Sequence, residues 1–285
     1  MNKYRRLFLL GVSALLSWQY VLAVSPRMNL EYPYVIRPFV YRQLIPQLAE
    51  MFGVSFSLLI FASCFGVAVL MLQIRDEKIK AGRNGDYYFL ASFSAFLMII
   101  LVYAKIYDAP TGFLYTLMIV LWMRDRLPLS LAVFALLCLN RETGVLLLPV
   151  FALSFWKRIG IIRTGTYLAA MSAIYLSIRQ VLVIAFEDVY GQQLFWTMKE
   201  LVESYSKEPQ LTALLFLTMS AWVLIAVTRN TDVLLRSFLA IVPPILIVSH
   251  ILFGVAWEIR VFAEFAPVAL ILLCTQVNPG KFYTV

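Results

Sequence analysis

Histidine occurs once in this 285-residue chain, cysteine three times, and charged residues supply only 14% of it. A metal centre needs several ligands at short spacing, so one His and the isolated Cys64, Cys138 and Cys274 exclude a zinc or iron–sulfur site built on them. No His/Asp/Glu cluster has ligand spacing either, so no metal is expected. The three thiols are odd in number and each falls in an apolar run, the pattern of small buried hydrophobes and not of a disulfide framework. Acid is scarce as well: 16 Asp and Glu face 24 Lys and Arg, for a formal net charge of +8. On a soluble domain that surplus would point to nucleic acid. Here the cations are scattered over short loops instead of gathered on one soluble face, which argues against a nucleic-acid partner. No soluble domain, low-complexity tract or internal repeat interrupts the chain.

What the chain has in abundance is apolar side chain, at 62% hydrophobic with a mean hydropathy of +0.83. Runs long enough to cross a bilayer recur throughout, so lipid is the expected solvent. Spans are expected near 7–24, 54–74, 87–104, 111–123, 166–186, 211–228, 237–257 and 261–277. Two runs too short to cross alone, 129–139 and 144–156, are expected to form a helical hairpin between the fourth and fifth spans. The expected fold is all-α and integral to the membrane: a single polytopic domain over 1–285, with about eight spans plus the hairpin, or about ten membrane helices.

Orientation follows from the basic loops. Lys3, Arg5, Arg6, Arg75, Lys78, Lys80, Arg83, Arg124, Arg126, Lys157, Arg158, Arg163, Arg229 and Arg236 all fall on one side of this topology. By the positive-inside rule that side is the cytoplasm and both termini lie there, in a multi-pass protein of the cytoplasmic membrane if the source is bacterial. Ala23-Val24-Ser25 after a basic start imitates a secretory leader, but Pro26 would follow the cut and the apolar run exceeds a leader's core. An uncleaved anchor is expected. The hairpin leaves and returns to the basic side, and its tip either reaches the outer surface or stops within the membrane.

The two longest loops, 25–53 and 187–210, face outside. In the first, Tyr41, Leu44, Ile45, Leu48, Met51 and Phe52 recur at helical spacing with Gln43, Gln47 and Glu50 opposite, predicting an interfacial amphipathic helix that tolerates Pro46 in its first turn. Arg37 and Arg42 stand at the start of that helix. Their planar donor forks suit phosphate, and snorkelling to lipid headgroups is the alternative. The second loop, rich in Glu187, Asp188, Glu200, Glu203 and Glu208, reads as a solvated loop or as a short interfacial helix over an outer cavity.

Three charged clusters reach the same outer side: Lys105 to Thr111 around Asp108, Asn140-Arg141-Glu142-Thr143, and Glu258, Arg260 and Glu264. An ionised group in hydrocarbon costs at least about 2.5–3.5 kcal/mol, so Arg141 and Glu142, flanked by runs too short to carry them into water, are expected to face a partner or polar cavity. For Asp108 with Lys105 an ordinary loop ion pair is the alternative. Arg179 and Gln180 interrupt a span, where the Arg can snorkel. His250 reads as a hydrogen-bonded core residue, Pro243-Pro244 as a kink, and Trp122, Trp156 and Trp257 as an aromatic belt.

Taken in order, the first span, the external loop with its helix, Arg37-Pro-Phe-Val-Tyr-Arg-Gln-Leu-Ile-Pro46, Tyr107-Asp108-Ala-Pro-Thr111, Leu139-Asn-Arg-Glu-Thr143, and Glu258-Ile-Arg260 with Glu264 and Pro267 form a pattern. That pattern resembles the integral-membrane glycosyltransferases of the C type (GT-C), which use polyprenyl-phosphate sugars as donors. The resemblance covers about residues 1–165 well and the remainder loosely. It implies a GT-C-like bundle that moves a sugar from polyprenyl phosphate to an acceptor on the non-cytoplasmic face, with no cofactor beyond the donor. Such enzymes generally carry a carboxylate in the first external loop that contacts the acceptor and can act as base. Glu31 matches it best by position, although Asp is commoner there, and Asp108 is the alternative base. Arg42 and Arg260, supported by Arg37 and Arg141, would meet the charge of the departing phosphate, while Glu142 and Glu258 would orient them or hold sugar hydroxyls. Two other classes stay open. A small transporter or lipid flippase would also use intramembrane Arg and Glu, and a non-catalytic subunit of the same fold would bind a membrane protein partner.

Overall fold

The computed structural model describes residues 3–28, 44–78, 84–101, 107–187, 206, 232–253, 262 and 264–276. Every element among them is helical: α1 (Lys3–Met28), α2 (Leu44–Phe52), α3 (Phe56–Lys78), α4 (Asn84–Leu101), α5 (Asp108–Met123), α6 (Leu127–Asn140), a 3₁₀ turn (Glu142–Leu146), α7 (Leu147–Phe155), α8 (Ile161–Ala185), α9 (Val233–Phe253) and α10 (Ala266–Gln276). These lie where the apolar runs predicted spans and hairpin. The expected span 211–228 falls outside the described residues. Three helices, at Lys3–Ser25, Phe56–Glu77 and Ile161–Ala185, are long and apolar enough to cross a membrane. The other apolar helices are shorter.

Helix α5 is the hub. It is apolar all round, and all but three of its 16 residues are buried. It packs on α3, α6, α9 and α10. Against α3 the approach is close enough that a Cβ on Gly66 would meet the Phe113 ring at 2.5 Å, so this contact needs glycine. Helix α8 is also apolar all round, yet only Thr164, Met171 and Leu182 of its 25 residues are buried. Ile161, Ile162, Leu176, Val181 and Ile184 are exposed there, an outer surface suited to lipid and not to water.

One end of the bundle gathers the basic segments. Arg5 pairs with Asp86, Arg75 with Asp76 and Asp86, Arg124 with Glu77, and Arg158 with Asp125. These pairs bring together the start of α1, the end of α3, the start of α4, the α5–α6 turn and the end of α7, as the basic loops predicted. Further along, α1 is pinned by the Tyr20 hydroxyl, which donates to the Ile100 carbonyl at 3.3 Å, so it belongs to the bundle. The α5–α6 turn is a Schellman motif: the Arg126 amide donates to the Leu121 carbonyl at 2.9 Å and the Asp125 amide to that of Trp122 at 3.3 Å. Asp125 takes the left-handed position at φ 56°, which Asp tolerates better than most side chains.

One expectation changes. Trp122 is fully buried, with its indole donating to Ser130 Oγ at 3.1 Å and its ring against Phe151 and Phe155, so it is core and not aromatic belt. Trp156 is half exposed, as a belt residue would be, and Trp257 lies outside the described residues. The amphipathic helix exists as α2, with Pro46 in its first turn; it buries Leu44 and Ile45, while Met51 and Phe52 remain exposed. α9 continues through Pro243 and Pro244.

Candidate functional site

The opposite end of the bundle holds a cluster of buried charges. At 1.5 Å per residue α3 is about 34 Å long and α6 about 21 Å. Both are anchored at the basic end, where Arg124, just before α6, donates through Nε to Glu77 near the end of α3 at 2.9 Å. α6 is the shorter of the two, and its charged tip is buried among packed helices, with α2 against α3 and α6.

Local structure assembles this tip. Asn140 ends α6 and donates through Nδ2 to the Tyr107 carbonyl at 3.2 Å and to Thr111 Oγ1 at 2.8 Å. Thr111 in turn donates to the Tyr107 carbonyl at 2.6 Å, so the first turn of α5 is tied to the last of α6. Arg141 then leaves the helix in extended backbone (φ −159°, ψ 142°), which turns its side chain away from the α6 axis toward α5 and α10. Its Nη1 lies 3.7 Å from Asp108 Oδ1, its Nε 3.2 Å from Glu264 Oε1, and its guanidinium 5.8 Å from the centre of the Tyr107 ring. Asp108 opens α5 and Arg141 closes α6, so each also sits at the helix terminus whose dipole favours its sign. Thr143 Oγ1 donates to Glu264 Oε1 at 2.8 Å, and Tyr115 donates its hydroxyl to the Thr143 carbonyl at 2.6 Å.

The three charged groups are withdrawn from solvent: Asp108 and Glu264 fully, Arg141 to 4% exposure. Burial at this level normally demands complete hydrogen bonding. Yet Asn140 Oδ1, Arg141 Nε and Nη1, and Glu264 Oε2 are buried without a hydrogen bond. Orphaned donors and acceptors side by side mark a place where a water or a polar ligand group completes the network. Next to it, Arg179 Nη2 on α8 lies 3.4 Å from Glu142 Oε2, a pair partly open to solvent. Among the described residues no group of three His, Cys, Asp or Glu is placed to hold a metal.

Of the residues singled out in the sequence, Asp108, Arg141 and Glu142 are brought together at this tip, joined by Glu264 of the third charged cluster. Glu31, Arg37, Arg42, Glu258 and Arg260 lie outside the described residues, as do Lys105 and most of the 187–210 loop. Two participants escaped sequence reading. Arg179 was read as a snorkelling side chain, whereas it pairs with Glu142. Tyr115 carried no signal, because a hydroxyl in an apolar run reveals nothing about its partner. Compared with known proteins, the chain matches no family model, no curated protein and no solved structure.

Proposed function

We propose that this chain is a multi-pass membrane glycosyltransferase of the C type, moving a sugar from a polyprenyl-phosphate donor to an acceptor on the non-cytoplasmic face. The observation that supports this reading is the convergence of Asp108, Arg141 and Glu264 at the enclosed tip of the short hairpin, with polar atoms left open. These residues come from three of the motifs on which the resemblance rests. Departure of the sugar leaves a phosphate anion whose charge needs preorganised cations. In this reading Arg42 and Arg260, with Arg37, meet the phosphate, and Glu31 takes the proton of the acceptor hydroxyl. Arg141, set between two buried carboxylates, is assigned a supporting part. Asp108, with a guanidinium against it, is better suited to holding a sugar hydroxyl than to accepting the proton. Glu142 orients Arg179, and Glu258 has the same role toward Arg260.

The test is native mass spectrometry of the protein in mild detergent, followed by a transfer assay with short-chain polyprenyl-phosphate sugars. Wild type is expected to retain a polyprenyl phosphate or its glycosylated form, and Arg42→Ala and Arg260→Ala to lose it. Glu31→Ala is expected to abolish transfer while leaving donor retention intact. Bulk phospholipid bound equally by all variants would overturn the reading. Full turnover in both Glu31→Ala and Asp108→Ala would overturn the assignment of the base.

A further inference from the structure

A cleft of about 900 Å³ opens at the basic end, between the end of α7 and the first turns of α9. Its wall has two kinds of surface. Leu153, Trp156, Val233 and Ala240 are apolar and exposed, on the outside of the bundle. Beside them stand Lys157, Arg158 and Arg236.

The charges differ in how far they are already used. Arg158 donates through Nη2 to Asp125 at 2.6 Å and lies over the Phe155 ring at 5.4 Å, so it is committed within the protein. The acid in the cleft, Asp232, accepts the Leu234 and Leu235 amides on Oδ1 at 3.0 and 3.2 Å, as a helix N-cap. Lys157 and Arg236 have no carboxylate partner among the described residues. Lys157 Nζ lies 5.4 Å from the centre of the Trp156 ring, and Trp is the side chain that settles at headgroup depth.

We propose that this cleft binds an anionic glycerophospholipid of the leaflet at the basic end, with its phosphate between Lys157 and Arg236 and its acyl chains along Leu153, Val233 and Ala240. A soluble anion would leave the apolar half of the cleft unfilled, and a zwitterionic lipid would bring, beside the same phosphate, an ammonium that the two cations repel. The proposal requires the chain to reside in a bilayer with its basic end at one surface; it does not rest on the transferase reading. Basic pockets between helices at the cytoplasmic surface recognise headgroups by this chemistry, and each basic residue there contributes a few-fold in affinity.

The experiment uses the full chain in mild detergent, titrated with phosphatidylglycerol or phosphatidylcholine of the same acyl chains and read by native mass spectrometry. Wild type is expected to retain phosphatidylglycerol about tenfold more strongly than phosphatidylcholine. The double variant Lys157→Gln/Arg236→Gln, whose side chains are exposed and whose folding is checked by thermal unfolding, is expected to bind the two lipids equally. Ala240→Trp keeps the cations and obstructs the apolar strip, and is expected to lower retention of both lipids. Arg163→Gln, on the exposed face of α8 at the same end, is expected to leave the preference unchanged. A preference that survives the double variant overturns the site. So does one lost equally in Arg163→Gln, which would make it a diffuse field of the basic end. Competition by glycerol phosphate at equal concentration would show a soluble-anion site and overturn the assignment to lipid.

Discussion

Arg75 and Arg141 are both buried guanidiniums set between two carboxylates, at opposite ends of the bundle, and they are satisfied very differently. Arg75 donates to Asp76 through Nε and Nη2 at 3.2 and 2.8 Å and to Asp86 through Nη1 at 3.0 Å, and it lies 5.7 Å over the Phe89 ring. Asp86 is shared with Arg5, and the side chains of Asp76 and Asp86 remain 29% and 16% exposed. Arg141 faces carboxylates that are fully buried, and its Nε and Nη1 make no hydrogen bond. The first arrangement is a finished clasp between helix ends. The second is an unfinished one, whose open polar atoms are completed by a water or a polar ligand group.

The largest expected effect comes from removing the guanidinium where its partners have no access to water. Arg141→Met leaves two buried carboxylates facing each other and is expected to cost about 3–5 kcal/mol in unfolding stability, measured by thermal unfolding in detergent, along with donor retention. Adding Glu264→Gln to that variant should restore part of the stability by removing one of the two charges. Arg75→Met is expected to cost less, about 2–3 kcal/mol, because Asp76 and Asp86 reach solvent and Arg5 still holds Asp86. Donor retention per folded molecule should stay within about twofold there. If the two substitutions affect function equally, the distinction between clasp and site fails.

A sharper version applies the same chemical change at both ends. Asp86→Asn breaks a network in which the carboxylate is held by two arginines, and is expected to cost about 1.5–3 kcal/mol with little effect on function. Glu264→Gln keeps an acceptor for Thr143 and leaves Arg141 facing Asp108 alone, one cation against one carboxylate, so its stability should move by less than about 1 kcal/mol. Its donor retention or turnover should fall at least about tenfold. Thermal unfolding and native mass spectrometry on the pair of variants read both quantities. A Glu264→Gln protein that is unfolded, or fully functional, would make Glu264 structural.

Much of this contrast was legible in the sequence, and the part that was not has a physical cause. Apolar run lengths place the helices, because a span is a one-dimensional property of the chain. The basic loops place their ends, and the pairs Arg5–Asp86, Arg124–Glu77 and Arg158–Asp125 join those ends as expected. The charge at Arg141 was conspicuous because its flanking runs are too short to bring it to water. The burial of Trp122 and the Arg179–Glu142 pair were not legible, because each depends on which face of a helix meets which neighbour. On helices such as α5 and α8, apolar all round, no polar stripe records that rotation. Arg75 was counted as one loop cation among many, and its complete burial follows only from α4 bringing Asp86 and Phe89 against it.

The smallest expected effects lie at the exposed pairs of the basic end, and Asp125 separates charge from backbone there. Its carboxylate accepts from Arg158, with the two side chains 56% and 43% exposed, and its backbone holds the left-handed position that closes the Schellman turn. An exposed ion pair contributes about 0–1 kcal/mol, while left-handed backbone costs a residue with a Cβ about 1–2 kcal/mol that glycine does not bear. Asp125→Gly therefore loses the pair and sheds the strain, with an expected net change within about 1 kcal/mol of zero. Asp125→Ala loses the pair and keeps the strain, so it should be about 1 kcal/mol less stable than the glycine variant. Thermal unfolding in detergent at low and high salt tests both, since the ion-pair part is screened by salt and the backbone part is not. A glycine variant as destabilised as Arg75→Met would mean that the Arg158–Asp125 pair is shielded from water as the Arg75 network is. The basic end would then be a continuous clasp from α1 to α7.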